Sequence, residues 1–218
     1  MYVRYKDGWI EVISGCMFAG KTEELIRRIN MLSFANKKIQ IFKPLIDNRY
    51  EEEEEIVSHN KRKIKAIRIG NVQQLIEFLD NDTEVIAIDE IQFFTNDILI
   101  VLEQLADQGK RIIVAGLDKD FRGEPFKCMP ELLTRAEFVT KLEAICVKCH
   151  SPATRTQRII NGFPASYHDP IVLIGANEFY EARCRHCHIV NDYPQTNIKE
   201  NKNECQNPRT IGNNETSL

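Results

Sequence analysis

Gly15-Cys16-Met17-Phe18-Ala19-Gly20-Lys21-Thr22 dictates a strand, an anion-binding turn and a helix, in that order. The octapeptide fits G-x-x-x-x-G-K-[ST], the phosphate-loop pattern. Each residue type has a physical task. Gly15 and Gly20 free the backbone to turn successive N–H groups toward one anion. Lys21 brings positive charge to the outer phosphates of a nucleotide, and Thr22 offers a hydroxyl to Mg²⁺. The flanks agree. Residues 10–14 read as a strand, and after Thr22 the apolar Leu25, Ile26, Ile29 and Leu32 keep a helical period. The loop amides then lie at a helix N-terminus, whose partial positive charge favours phosphate.

Beyond the loop, residues 10–140 alternate between strand-like runs and amphipathic helical stretches. Strands are expected at 38–43, at 64–69 nearer an edge, at 85–88 and at 111–116. Helices are expected at 71–79, capped by Asn71, and from Thr95 through Ile98, Leu99, Leu102, Leu105 and Ala106 to Gly109. Such alternation predicts an α/β domain whose mainly parallel sheet is covered on both faces. Ligands then bind at the carboxyl ends of the strands. The chain has 218 residues, enough for one such domain and a smaller appendage. Its net charge of −3 offers no general attraction to nucleic acid or to an anionic membrane. No apolar run is long enough to span a bilayer, and residues 1–7 lack a secretory hydrophobic region, so a cytoplasmic location is expected.

Val85-Ile86-Ala87-Ile88-Asp89 is an apolar run ending in a carboxylate. About 70 residues after a phosphate loop, this resembles a Walker-B strand whose aspartate holds Mg²⁺. Glu90 follows at once. A carboxylate there lies near the terminal phosphate and is placed to take a proton from the attacking nucleophile. The plainer alternative is an acidic residue capping the next turn. The pair does not separate a kinase, whose nucleophile is a substrate hydroxyl, from an ATPase, whose nucleophile is water.

Near residue 144 the composition changes: cysteine, histidine and turn residues replace the α/β alternation. Cys146-x-x-Cys149 and Cys184-x-x-Cys187 have the spacing that lets two tight turns complete a tetrahedral zinc site. A closed Cys₄ site has no open coordination position, so its role is structural. One of His150, His186 or His188 replacing a cysteine, and redox pairing, remain alternatives. Cys16, Cys128 and Cys205 are scattered. The expected organisation is therefore residues 1–143 as the phosphate-loop domain, 144–192 as the zinc lobe, and 193–218 as a disordered polar tail. The five glutamates at 51–55 read as a solvated loop.

These motifs together resemble thymidine kinase of the cytosolic, zinc-containing type. The resemblance runs nearly to Tyr193. It is carried by the octapeptide 15–22, by Asp89-Glu90-Ile91-Gln92-Phe93-Phe94, by Gly116-Leu117-Asp118-Lys119-Asp120-Phe121 with Pro125-Phe126, and by Tyr180-Glu181-Ala182-Arg183-Cys184. It implies a RecA-like domain with a zinc-ribbon-like lobe. It also implies ATP and Mg²⁺, phosphoryl transfer to the 5′-hydroxyl of thymidine, a homotetramer and feedback inhibition by dTTP. Residue by residue, it implies Glu90 as catalytic base. Residues 15–22, Asp89, Ile91 and Gln92 would form the phosphate site, joined by Asp47 and Arg49 and, less directly, by Ser58 beside His59. Met17, Leu117, Phe121 and Phe126 would form apolar walls for the nucleoside. Ile171, Val172, Leu173, Ile174 and Gly175 resemble a lasso-like segment whose main chain reads the base. Tyr180 would meet the deoxyribose, and Ser166 the base. Cys16 departs from a frequent proline, and Ala19-Gly20-Lys21-Thr22 from a Ser-Gly-Lys-Ser form; a threonine serves Mg²⁺ as well as a serine.

Two other classes share parts of this pattern. A RecA-type ATPase motor also uses a phosphate loop and an Asp-Glu pair, but it generally needs a second domain or an arginine finger. A zinc-ribbon nucleic-acid-binding protein would carry a stronger basic set than Arg155, Arg158, Arg183 and Arg185.

Overall fold

The computed structural model describes residues 8–45, 55–57, 63–171 and 178–194. Asp47, Arg49, the glutamate run up to residue 54, Ser58, His59, Val172 to Gly175 and the tail from residue 195 lie outside them.

Strand β1 (Trp9–Gly15) feeds the loop, and helix α1 (Lys21–Phe34) follows it. Strand β2 (Ile39–Pro44) comes next, then a short antiparallel pair, β3 (Glu55–Val57) and β4 (Lys63–Lys65). Then come β5 (Ile67–Ile69), helix α2 (Val72–Phe78), β6 (Val85–Ile88), helix α3 (Asp97–Asp107) and β7 (Arg111–Gly116). Helix α4 (Met129–Arg135) and β8 (Phe138–Leu142) complete the first part of the chain. Among the described residues, six strands pair in the order β5-β2-β6-β7-β1-β8, every pair parallel.

Residue alternation explains how both faces are covered. In β6, Ile86 and Ile88 join Ile98, Leu99 and Leu102 of α3 on one face. Val85 and Ala87 join Leu25, Ile26 and Ile29 of α1 on the other. Both faces are apolar, as a parallel sheet requires. One buried carboxylate interrupts the α1 face. Glu11 lies 2.7 Å from Arg28 and 2.6 Å from Arg111, and it accepts from the Trp9 indole at 2.7 Å. Burial alone would raise its pKa, but these donors hold it below the usual carboxylate range.

Several boundaries differ from expectation. The run 64–69 is split at Ala66: its first part pairs with β3, and its second is the edge of the parallel sheet. Helix α3 begins at Asp97 because the Thr95 hydroxyl bonds the Asp97 carboxylate and a tighter turn precedes the helix. Asn71 caps α2 as read, its carbonyl oxygen accepting from Gln74 N at 3.0 Å. The sequence reading missed α4 and β8. The residues of β8 alternate between half-buried and exposed, as suits an edge strand.

From Ala144 onward the described strands pair antiparallel. Strand β9 (Ala144–Ile145) pairs with β10 (Pro152–Ala153). Strand β11 (Arg155–Ile160) lies between β12 (Phe163–Pro164) and β13 (Glu178–Arg183).

Candidate functional site

Strand order sets the site. β7 lies between β6, which Asp89 follows directly, and β1, which runs into the phosphate loop. Three neighbouring parallel strands therefore bring Asp89 and Glu90, the loop 15–22 and Leu117 to one end of the sheet. Gly20 is left-handed (φ 81°) just before the first turn of α1, a conformation that a β-carbon would strain. The Lys21 ammonium is buried and donates to Cys16 O at 2.9 Å, so it lies inside the curl of the loop.

The outer wall of the loop belongs to the second part of the chain. Cys16 Sγ donates to Ala153 O at 3.2 Å, and Met17 N donates to Thr156 Oγ1 at 3.0 Å. Cys16 packs in a cluster with Ala144, Cys146, Ala153, Ala182 and Cys184, with Ala19 against it. Burial pushes the Cys16 thiol up, which keeps it a neutral packing group. Phe18, at the loop tip, is half-exposed.

Thr22 Oγ1 donates to Asp89 Oδ2 at 3.1 Å. Asp89 also accepts from Glu90 N, at 3.0 Å through Oδ1. Burial, then the Glu90 charge, raises its pKa from 3.8 to about 7. A buried carboxylate that resists ionisation beside a hydroxyl is a donor pair that a hard divalent cation relieves, so these residues fit Mg²⁺. Glu90 itself is left-handed (φ 53°, ψ 38°), which turns the chain from β6 into a 3₁₀ turn at Ile91–Phe93. Ile91 and Gln92 are buried there, and the Gln92 amide meets the Glu90 carboxylate.

The expected apolar walls divide. Leu117 and Met17 are half-buried. Phe126 is buried and meets Phe93 edge-on with centroids 5.7 Å apart, so it anchors its loop to the core. Phe121 is buried too, with the Arg158 guanidinium 5.0 Å from its ring centre. Tyr180 stands opposite Arg158 in the β11–β13 register and is half-buried. Ile171 packs against the large apolar cluster. The Ser166 hydroxyl donates to Asp192 at 2.7 Å and so ties together two segments 26 positions apart. The sequence reading did not name Thr156, and it named Asp120, Arg158 and His188 without the supporting roles they have here. Asp120 closes the loop after β7 by accepting from Arg122 N at 2.9 Å and Glu124 N at 3.1 Å. Burial holds His188 below the usual imidazole range, and neutral His188 donates from Nε2 to Phe121 O at 2.8 Å. The Asp-x-x-Gly run at 120–123 signalled that loop; nothing in the sequence signalled the rest.

Cys146, Cys149, Cys184 and Cys187 place their sulfurs within 4.8 Å of one another, with Cys149 and Cys184 at 3.5 Å. A tetrahedron with ~2.3 Å Zn–S bonds has sulfur–sulfur edges of roughly 3.8 Å, so the four fit zinc. His188 is engaged elsewhere, and the sulfur set is complete without a histidine. The thiols also titrate apart. Against the cost of burial, backbone N–H groups pull Cys146 down to about 6, while its neighbours push Cys187 up to about 12. Four thiolates this close need a cation among them.

A phosphate loop and a buried carboxylate at one end of a parallel sheet, on strands that flank β7, with a four-cysteine lobe as outer wall, define a P-loop nucleotide-binding α/β protein. A thymidine kinase family model matches residues 8–188, and the chain belongs to the thymidine kinase family. The four-cysteine cluster supports the zinc-containing type within it. The family's chemistry is ATP-dependent phosphorylation of thymidine. Among solved structures, the chain is similar to the X-ray structure of the Legionella pneumophila ATPase DotB, at 16% identity and a TM-score of 0.36. That match covers 60% of this chain and 35% of the ATPase, so the chain spans about a third of that protein's length. No helix among the described residues is long and apolar enough to cross a membrane.

Proposed function

We propose that this protein transfers the γ-phosphoryl group of ATP to the 5′-hydroxyl of thymidine, with Glu90 as general base. The observation that carries this is the carboxylate of Glu90, held directly beside the Thr22–Asp89 pair at the end of β6. Lys21 and the loop amides bind the β- and γ-phosphates. Thr22 and Asp89 hold Mg²⁺, which offsets charge on the phosphates when bound. Glu90 accepts the 5′-hydroxyl proton as the new P–O bond forms and the bond to the β-phosphate oxygen breaks. ADP and thymidine monophosphate leave.

Leu117, Met17 and Tyr180 contact the nucleoside, and the segment from Ile171 through Gly175 lies over the base. Asp47, Arg49 and Ser58 join the phosphate site. Phe121, Phe126 and Ser166 shape the pocket from behind. Zinc on Cys146, Cys149, Cys184 and Cys187 fixes the ends of the nucleoside-covering segment. Residues 1–143 act as the ATP-binding unit, 144–192 as the zinc lobe, and 193–218 as a polar tail. Deoxyuridine is a second acceptor, dTTP a feedback inhibitor, and the working form a cytoplasmic homotetramer supplying dTMP by salvage for DNA synthesis. These finer points follow the family likeness.

The test is an ATP-consumption assay with and without thymidine, scoring thymidine monophosphate directly. Product formed in step with ADP supports the reading. ADP released at the same rate without nucleoside would mean that Glu90 activates water, and the ATPase reading would replace it.

A further inference from the structure

Gln92, expected from the family likeness at the phosphate site, has its amide engaged within the protein. Its side chain is fully buried, and both ends of its amide are engaged. The oxygen accepts from Leu117 N at 3.1 Å. That bond fixes which way the amide faces, because a main-chain N–H can only donate. The nitrogen is thereby turned onto Glu90 Oε2. An amide N–H is also donor-only, and it bonds a charged carboxylate more strongly than a neutral one. We propose that Gln92 is a positioning residue: fixed by the backbone of Leu117, it holds the Glu90 carboxylate in its proton-accepting geometry.

Two further observations agree. Glu90 is a non-glycine residue in the left-handed region, a strained placement that persists only where surroundings enforce it. Gln92, two residues on in the same turn, is what meets its carboxylate. Gly116 supplies the second constraint. A β-carbon there would lie 2.6 Å from Gln92 Oε1 and 2.8 Å from Ile91 Cγ2. The approach of the amide to Leu117 thus requires glycine at the end of β7. Leu117 also opens the loop that carries Phe121 and Phe126, so one amide links the base to the loop after β7.

This rests on Glu90 as the base, and a double-mutant cycle separates the two ideas. Gln92→Met and Gly116→Ala are each combined with Glu90→Gln, measuring kcat, KM for both substrates, and ADP affinity. Gln92→Met is expected to lower kcat about 10- to 100-fold, as misplacing a catalytic group does. ADP affinity is expected to stay within about two-fold. Gly116→Ala is expected to reproduce the kcat loss with Gln92 still present. In the Glu90→Gln background, neither change should cost more than about two-fold further, since nothing remains to position. Losses that multiply in the double variants would overturn the positioning role. So would weakened ADP binding with normal kcat, which would make Gln92 a phosphate contact. Near-normal turnover of Glu90→Gln alone would instead remove the base assignment, and this proposal with it.

Discussion

The parallel sheet and the cysteine lobe meet at the phosphate loop, but different physics holds each in place. On the sheet side, side chains such as Ile13, Leu25, Ile26 and Ile86 are fully buried. Each contributes roughly 1.5–3 kcal/mol by leaving water. On the lobe side, the cluster around the loop is Cys16, Ala144, Cys146, Ala153, Ala182 and Cys184, none larger than cysteine. So small a core does not hold three short strand pairs together by burial, and a metal site is the usual remedy. The inner side of the phosphate loop is thus secured by hydrophobic packing, while its outer wall depends on sulfur chemistry.

The largest effect should come from the sheet side and should leave the lobe untouched. Glu90→Gln is expected to lower kcat by two orders of magnitude or more, on the scale of general-base contributions. Zinc content should be unchanged by metal analysis; a loss of zinc would mean that the two sides are not separable. Next comes the lobe itself. Cys187→Ser should release the metal, and hydrogen exchange should show amides of β11 and β13 losing protection while those of β6 and β7 keep theirs. Uniform loss of protection would make the molecule one cooperative unit.

The third effect concerns stability against pH. Asp89 has its pKa raised from 3.8 to about 7. Between those values the folded state holds a proton that the unfolded state lacks, so stability falls as pH rises from about 4 to 7, then levels. Asp89→Asn can keep both hydrogen bonds, to Glu90 N and Thr22. It should therefore exceed the wild type in metal-free stability above pH 7, by up to a few kcal/mol. That advantage should fade as pH falls toward 4, and thermal melts across the range would read it. A constant difference would show that ionisation of Asp89 is not the cause. The smallest effect probes the seam. Thr156→Val removes the acceptor of Met17 N and should weaken ADP binding about 3- to 10-fold, the net value of one hydrogen bond. Unaltered ADP affinity would mean that the lobe wall does not shape the loop.

Legibility in the sequence followed the same division. The strands β1, β6 and β7, the helix after the loop and the Asn71 cap could all be read, because apolar period and capping chemistry are local signals. The paired cysteines were legible because metal spacing is local too. β8 was not, since Phe138–Leu142 mixes apolar and polar residues as edge strands do. Nor was the seam legible: nothing local tells Thr156 that it faces Met17. Gln92 could be read as part of a motif, but its task depends on Leu117 N, which only the parallel pairing of β6 with β7 brings near.

The seam has a consequence for biosynthesis. Cys16 and Ala153 lie 137 positions apart, and Met17 and Thr156 lie 139 apart. A ribosome adds residues one at a time, and domains fold in the order in which they emerge. The loop motif therefore leaves the exit tunnel well before the strands that back it. A nascent chain released or stalled before Ala144 would display the complete octapeptide and none of its outer wall.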